Sequence, residues 1–227
     1  MILGVIPARL NSTRFPNKVI FSLNGKTIVE HVYNKAIQSS LIDKLVVAVD
    51  SEKTEKLINC SNIMMTSDKH ESGTDRVAEV ANNYDCDIVV NIQGDEPGID
   101  PKLIDQLISL FNDPDVRMAS VASTDLGKND LKNINIVKVN LDKENNALSF
   151  VRNNIDPNKK YYRHIGIYAY RKKTLNLFTS LDQSDNEKKY SLEQLRALDN
   201  NIAIKLLISD FNHRSIDTKE DLKNYEN

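Results

Sequence analysis

Short apolar runs alternate with helical periodicities through the first half of the chain. Ile2 to Ile6, Lys44 to Val49, Ile63 to Met65, Ile88 to Ile92 and Met118 to Ala122 are brief, rich in β-branched or small apolar residues, and read as buried strands. Between them, Ile28, Val29, Val32, Tyr33 and Ile37 recur at helical spacing behind Thr27 and Glu30, which are placed to form a capping box. Thr74 can cap a further helix, and Leu103, Ile104, Leu107, Ile108 and Phe111 stripe another. Strands separated by helices predict an α/β fold: an open, mostly parallel sheet with helices on both faces.

The pattern changes after residue 125. Ile136 to Leu141, Ala147 to Phe150 and Tyr161 to Tyr170 are strand-like with no long helix between them, which predicts an antiparallel excursion. A helix is expected over about residues 186–199 behind a Ser184/Glu187 capping box, then a strand at Ala203 to Leu207 and a last helix capped by Thr218 with Asp221. No repeat, low-complexity segment or linker interrupts the sequence, so residues 1–227 are expected to form a single domain carrying a strand-rich excursion at about 126–170.

Composition narrows the function classes. Thirty basic residues face thirty-two acidic ones, a formal charge of −2, so there is no global positive field to hold nucleic acid and basic residues must act locally. Cys60 and Cys86 lack CxxC spacing, offer no thiolate metal site and fit a reducing compartment as buried small hydrophobes. The start, MILGVI, runs straight into Pro7 and Arg9 without a leader's apolar stretch, and no window approaches a membrane span. These features predict a cytoplasmic protein with no membrane partner.

In an open α/β sheet, ligands bind beyond the carboxyl ends of the parallel strands. Three polar segments belong at that rim. Arg9, Ser12, Arg14 and Lys18 follow the first strand and bring two guanidinium forks, a hydroxyl and an ammonium within ten residues, a set able to spread over polyphosphate oxygens. Ser72, Gly73 and Thr74 lead into a helix. Gln93 to Glu96 follow the strand at Ile88, and Asp95 and Glu96 offer carboxylates for Mg²⁺, a hard ion that needs only one or two when phosphates share it. Cations for a polyphosphate and a carboxylate for its metal together point to nucleotidyl transfer.

Other motifs are excluded or stay open. Gly25-Lys26-Thr27 ends like a Walker A loop, but its leading glycine is replaced by Ile20, and no GxGxxG occurs. Asp85-Cys86-Asp87 resembles a DxD metal motif, yet it precedes its strand and so belongs to the opposite rim as a solvated turn. Asp217, just ahead of Thr218, is either a second metal ligand or an acid favoured by a helix dipole. The four histidines lack zinc-ligand spacing. Strand alternation puts His164, Gly166 and Tyr168 on one face and Arg163, Ile165 and Ile167 on the other, and a lone strand histidine is ordinarily a structural hydrogen-bonder. Glu193, Gln194 and Arg196 could form a solvated helix face with an i,i+3 ion pair.

The segments IPARLNSTRFPNK, HESGTDR, NIQGDEP, VKV, RHIGIYAYR, LEQLRAL and IDTKEDL, in that order over nearly the whole chain, resemble the 3-deoxy-manno-octulosonate cytidylyltransferase family. The resemblance implies a soluble, homodimeric, Mg²⁺-dependent enzyme with a nucleotide-diphospho-sugar transferase-like fold. It would join CTP to a 2-keto-3-deoxy sugar acid with release of pyrophosphate, using the excursion in dimerisation and in the sugar site. It implies that Arg9, Ser12, Arg14 and Lys18 hold the CTP phosphates, with Lys18, Asp95 and Asp217 catalytic, and that Ser72, Gly73 and Thr74 lie near the cytosine. It further implies that Asp95 and Asp217 ligate magnesium and that Gln93, Arg152, His164, Glu193 and Gln194 line the sugar-acid pocket.

Departures from the family pattern cluster on the sugar side. Val151 stands where a serine precedes the pocket arginine, the usual proline and tryptophan are absent from residues 153–156, and Tyr190 replaces an acidic residue. The expected acceptor is Kdo, followed by 8-amino-Kdo and then another ulosonic acid. A sugar-nucleotide-binding protein without turnover is the rival class, disfavoured because binding alone has no need of Lys18, Asp95 and Asp217 together.

Overall fold

The computed structural model describes residues 1–10, 15–212, 215–216 and 221–225. Backbone contacts divide the chain into two compact units, Met1–Asp105 with Arg214–Asn227, and Gln106–His213.

The first unit opens with β1 (Ile2–Ala8), followed by a 3-10 turn at Lys18–Ile20, a hairpin of β2 (Ser22–Leu23) and β3 (Lys26–Thr27), and α1 (Ile28–Ala36). Asn24 and Gly25 close the hairpin with φ of 49° and 81°, the left-handed pair that a two-residue turn requires. Thr27 and Glu30 form the expected reciprocal cap on α1. Next come β4 (Lys44–Val49), α2 (Glu52–Leu57), β5 (Ile63–Met65), α3 (Gly73–Asn82) and β6 (Ile88–Asn91), and α4 (Pro101–Ser109) carries the chain across the unit boundary. Ser51 caps the short α2, which has too little apolar periodicity to read from sequence.

Strands β6, β1, β4 and β5 lie side by side in that order, all parallel. The chain leaves β1 toward β4 and β5 and returns on the other side of β1 as β6. The order therefore reverses between β1 and β6, and the crevice beyond their carboxyl ends is the place for a ligand in such a sheet. Leu3, Val5, Ile6, Val47, Val89 and Val90 are fully buried, so both faces of these strands are covered and their sequences run apolar without alternation. The end of the chain comes back to this unit: Ile216 and Leu222 pack with Phe15, Leu23 and Ile28.

The second unit holds β7 (Met118–Ser123), β8 (Lys138–Leu141), β9 (Ala147–Val151), β10 (Tyr162–Arg171), α5 (Lys172–Ser180), α6 (Asp185–Tyr190), α7 (Leu195–Asp199) and β11 (Lys205–Ser209). Strand β7 runs parallel to β11 and antiparallel to β10, while β8 pairs antiparallel with both β9 and β10. The antiparallel character expected after residue 125 is present in this unit.

The single helix expected over about 186–199 is instead two. Ser191 adopts a left-handed conformation, with φ 51°, and ends α6. The break lets Arg196 donate to both carboxylate oxygens of Glu187, at 2.8 and 2.6 Å, within a buried pair. Arg196 thus belongs to the interior and its main partner is Glu187; Glu193 Oε1 lies 3.9 Å away. The expected cap at Thr218 falls outside the described residues, and Asp221–Asn224 forms a 3-10 turn. No described helix is long and apolar enough to cross a membrane.

Candidate active site

Three loops of the first unit meet at the carboxyl end of β1. A Cβ built on Gly94 would lie 2.8 Å from Pro7 O, and one on Gly73 would lie 3.5 Å from Pro7 Cγ. The loop after β6 and the start of α3 therefore both approach the end of β1, and glycine at 94 is what permits the backbone contact. Ser72, rather than Thr74, caps α3: its hydroxyl accepts from the Asp75 amide while the Asp75 carboxylate accepts from the Ser72 amide. Thr74 is buried in the first turn. The reciprocal partner at the third helical position decides between the two, since only Ser72 has an acid three residues on.

Lys18 and Asp95, brought by the loops after β1 and β6, form the charged centre of this rim. Lys18 Nζ donates to Asp95 Oδ2 at 2.5 Å, with side-chain exposures of 9% and 25%. Lys18 is therefore mostly withdrawn from water, whereas Asp95 keeps an accessible edge. Glu96, the other carboxylate of the pair, is buried. Asp95 is held from behind as well, because its carbonyl accepts the Ile216 amide at 3.0 Å. Arg9 is exposed and its guanidinium reaches the Glu71 carbonyl at 3.5 Å, at the approach to α3. Ser12, Arg14 and Asp217 lie outside the described residues.

A further carboxylate at this rim escaped the sequence reading. Asp50 follows β4 and accepts the Leu10 amide at 3.2 Å, anchoring the start of the basic loop. Arg76, buried in α3, donates to Thr66 Oγ1; burial holds its pKa down, opposed by the charges of Asp50 and Glu79. The signal for Asp50 was of the kind that marked Asp95, an acid in the loop beyond the carboxyl end of a buried strand. Asp85-Cys86-Asp87 sits at the other rim, where Asp87 takes the amino-terminal ammonium at 2.7 Å. Among the described residues no cluster of three or more His, Cys, Asp or Glu could by itself hold a metal ion.

In the second unit, Arg152 donates to the carbonyls of Ile134 and Asn135 at 3.2 and 3.4 Å. Beneath it Lys138, fully buried on β8, donates to the carbonyls of Asn133 and Arg152 at 2.6 and 2.7 Å. Burial lowers the Lys138 pKa, Asp130 opposes this, and Arg152 and Arg163 add to it. Arg163 turns to Asp130 and the Asp125 carbonyl, whereas His164 meets Ser120, so the two neighbours serve different surroundings as alternation implied. Gln194 is buried at the start of α7 and Glu193 is half-buried beside it. Cys86 is buried and Cys60 half-buried; burial, with the charge of Glu30, pushes the Cys60 thiol up to about 12.

A parallel sheet with a reversal of strand order, and a lysine–carboxylate pair in the crevice it creates, define an α/β protein with a charged ligand-binding crevice. Residues 3–206 match the family model described as Cytidylyltransferase. The 3-deoxy-manno-octulosonate cytidylyltransferase of Bacteroides thetaiotaomicron is 41% identical over 99% of this chain and 96% of its own. That of Thermodesulfovibrio yellowstonii is 41% identical over 96% and 94%. A solved structure of CMP:2-keto-3-deoxy-manno-octonic acid synthetase complexed with CTP superposes with a TM-score of 0.92 at 32% identity, covering 99% of this chain and 96% of that one. The chain belongs to the 3-deoxy-manno-octulosonate cytidylyltransferase family, and it is a nucleotidyltransferase.

Proposed function

We propose that the protein transfers CMP from CTP to the anomeric hydroxyl of Kdo, giving CMP-Kdo for lipopolysaccharide biosynthesis and releasing pyrophosphate. The observation that carries this reading is the Lys18–Asp95 pair at the crevice between β1 and β6. It sets a cation and an oxygen ligand where the relative solved with CTP has the same fold.

The chemistry follows from charge. The sugar hydroxyl attacks the α-phosphorus in line with the departing pyrophosphate; an oxygen–phosphorus bond forms, another breaks, and the hydroxyl proton is released. Negative charge gathers on phosphate oxygens, and Arg9, Ser12, Arg14 and Lys18 would supply the hydrogen-bond donors and positive charge to meet it. The partly exposed Asp95 carboxylate suits a hard cation, so Asp95, together with Asp217, would hold Mg²⁺. When bound, Mg²⁺ supplies neutralisation of phosphate charge and eases ionisation of the attacking hydroxyl. Ser72, Gly73 and Thr74 would border the cytosine. On the sugar side Arg152 would meet the carboxylate, and Gln93, His164, Glu193 and Gln194 the hydroxyls. Ile134 and Leu148, exposed on the excursion, are the apolar groups a second copy would cover in a homodimer. A cytoplasmic location fits these substrates.

Pyrophosphate release measured with Kdo, 8-amino-Kdo and nonulosonic acids against each of the four nucleoside triphosphates tests the reading. Release should be fastest with CTP and Kdo. Faster turnover of another acid would reassign the acceptor, and no release with any pair would leave a binding protein.

A further inference from the structure

Lys138, the centre of the VKV segment, carries a charge into the interior of the second unit. It is fully buried on β8, directly opposite Arg163 of β10 and Val151 of β9. Directly opposed residues of an antiparallel pair share a face with their Cβ atoms about 5 Å apart, and like charges in that position are destabilising. Val151, on the other side, offers no acceptor. Among the described residues no carboxylate forms an ion pair with the Lys138 ammonium: Asp130, whose charge favours it, is paired with Arg163 at 2.8 Å.

The hydrogen bonds of Lys138 do not account for its charge. The ammonium donates to the carbonyls of Asn133 and Arg152 at 2.6 and 2.7 Å, and a neutral carboxamide, with two N–H donors of its own, could serve both. Two residues further along the same face of β8, a carboxamide does such work: Asn140 donates to the Lys160 carbonyl at 2.8 Å. A charge withdrawn from water is costly unless it meets an opposite one. Burial lowers the Lys138 pKa accordingly, and the charges of Arg152 and Arg163 lower it further. Three cations thus act together against one carboxylate, and the group that would offset the excess is an anion. The bond to the Arg152 carbonyl sets the ammonium against the main chain that carries the Arg152 guanidinium.

We infer that Lys138 is a positioning residue that holds uncompensated positive charge behind Arg152, so that the sugar-acid pocket takes a carboxylate in preference to a neutral group of the same shape. Lys138 does not touch the substrate; its charge acts through an interior where water and salt screen it little. The inference rests on the reading of Arg152 as the partner of the sugar-acid carboxylate. It adds the source of the selection for an acid.

Discrimination between an acid and its amide reads this charge. A sugar acid lacking the anomeric hydroxyl cannot react, so it and its C1 carboxamide can each be titrated calorimetrically into the full-length enzyme saturated with CTP and Mg²⁺. Wild type should bind the acid at least ~10-fold more tightly than the amide. Lys138→Gln, which keeps two donors for the carbonyls, should narrow that ratio roughly tenfold by weakening the acid alone, the scale of one unit charge acting inside a protein from beyond contact. The affinity for CTP should not move. Lys138→Met gives the same ratio if the glutamine variant does not fold, because a loss common to both analogues cancels within one protein. A ratio unchanged by the substitution overturns the inference, since a lysine serving only its two carbonyls would behave that way. A wild type that binds the amide as well as the acid overturns it too. Arg152→Ala separates the two readings. If it collapses the ratio while Lys138→Gln leaves the ratio intact, the pocket reading stands and only this inference falls. If Arg152→Ala leaves the ratio intact, the carboxylate is met elsewhere and both fall.

Discussion

Lys18 Nζ stands 2.5 Å from Asp95 Oδ2 although the two residues are 77 positions apart in the chain. Each is delivered by the loop after a parallel strand, β1 for the lysine and β6 for the aspartate, and those strands are neighbours. In the proposed reaction an ammonium and a carboxylate already paired at a rim would need little rearrangement as phosphate charge developed beside them.

Replacing either partner should separate binding from chemistry. Lys18→Ala should lower the rate at saturating CTP as well as the apparent affinity, because the lysine is proposed to act on charge that appears in the transition state. Asp95→Asn should lower turnover by at least ~10²-fold while the protein stays folded. Steady-state pyrophosphate release and circular dichroism check both. A Lys18→Ala enzyme in which only KM rises would reduce the lysine to a ground-state phosphate ligand.

Gly94→Ala tests the approach of the β6 loop to β1. The added Cβ would meet the Pro7 carbonyl at 2.8 Å, and a backbone atom cannot swing aside as a side chain can. The expected cost is about 1–3 kcal/mol of stability, typical of forced overpacking, accompanied by weaker CTP binding. Urea unfolding and calorimetric titration with CTP measure the two effects. An unchanged midpoint with unchanged affinity would show that the loop has room to spare.

Arg152→Ala and His164→Ala should each weaken use of the sugar acid while CTP·Mg²⁺ affinity stays close to wild type. Arg152 should matter more, since a guanidinium can meet a carboxylate through two charge-assisted hydrogen bonds. Val151→Ser should improve Kdo use if this position recognises Kdo as the family does. Loss of CTP affinity in Arg152→Ala would move that arginine to the phosphate side.

Acid should weaken the fold partly through Asp105. Burial pushes its carboxyl pKa up, but hydrogen bonds from the Ser39 and Ser40 hydroxyls and from the Ser40 and Leu41 amides outweigh this, and the net shift is below the ordinary 3.8. A depressed folded pKa means that the stabilisation is complete above the unfolded value and disappears as pH falls through the folded one. Urea midpoints of wild type and Asp105→Asn should therefore differ near neutrality and converge as the pH falls from the ordinary carboxyl value through the lower folded one. A constant gap across that range would show that the carboxylate charge contributes nothing.

What the sequence determined by itself was local. Capping boxes at Thr27/Glu30 and Ser184/Glu187 form as read, because each is closed by residues three apart. The strand at Lys44–Val49 has the bounds its apolar run implied, because burial on both faces demands unbroken hydrophobicity, and the run Ile63–Met65 also keeps its bounds although, at the sheet edge, it is only partly buried. The order of strand, loop and helix was enough to send Arg9, Lys18, Gly73 and Asp95 to one rim and Asp87 to the other. Only the tertiary structure decided the rest. It broke the helix at Ser191 so that Arg196 and Glu187 could pair in the interior, turned Asp50 onto the Leu10 amide, and set Ser120 under a bulge to meet His164. Each of those choices satisfies a buried charge, amide or carbonyl with a partner from a distant or differently oriented segment. A periodicity records which face of an element is buried, but the partner that meets a polar group there is settled only when the elements pack.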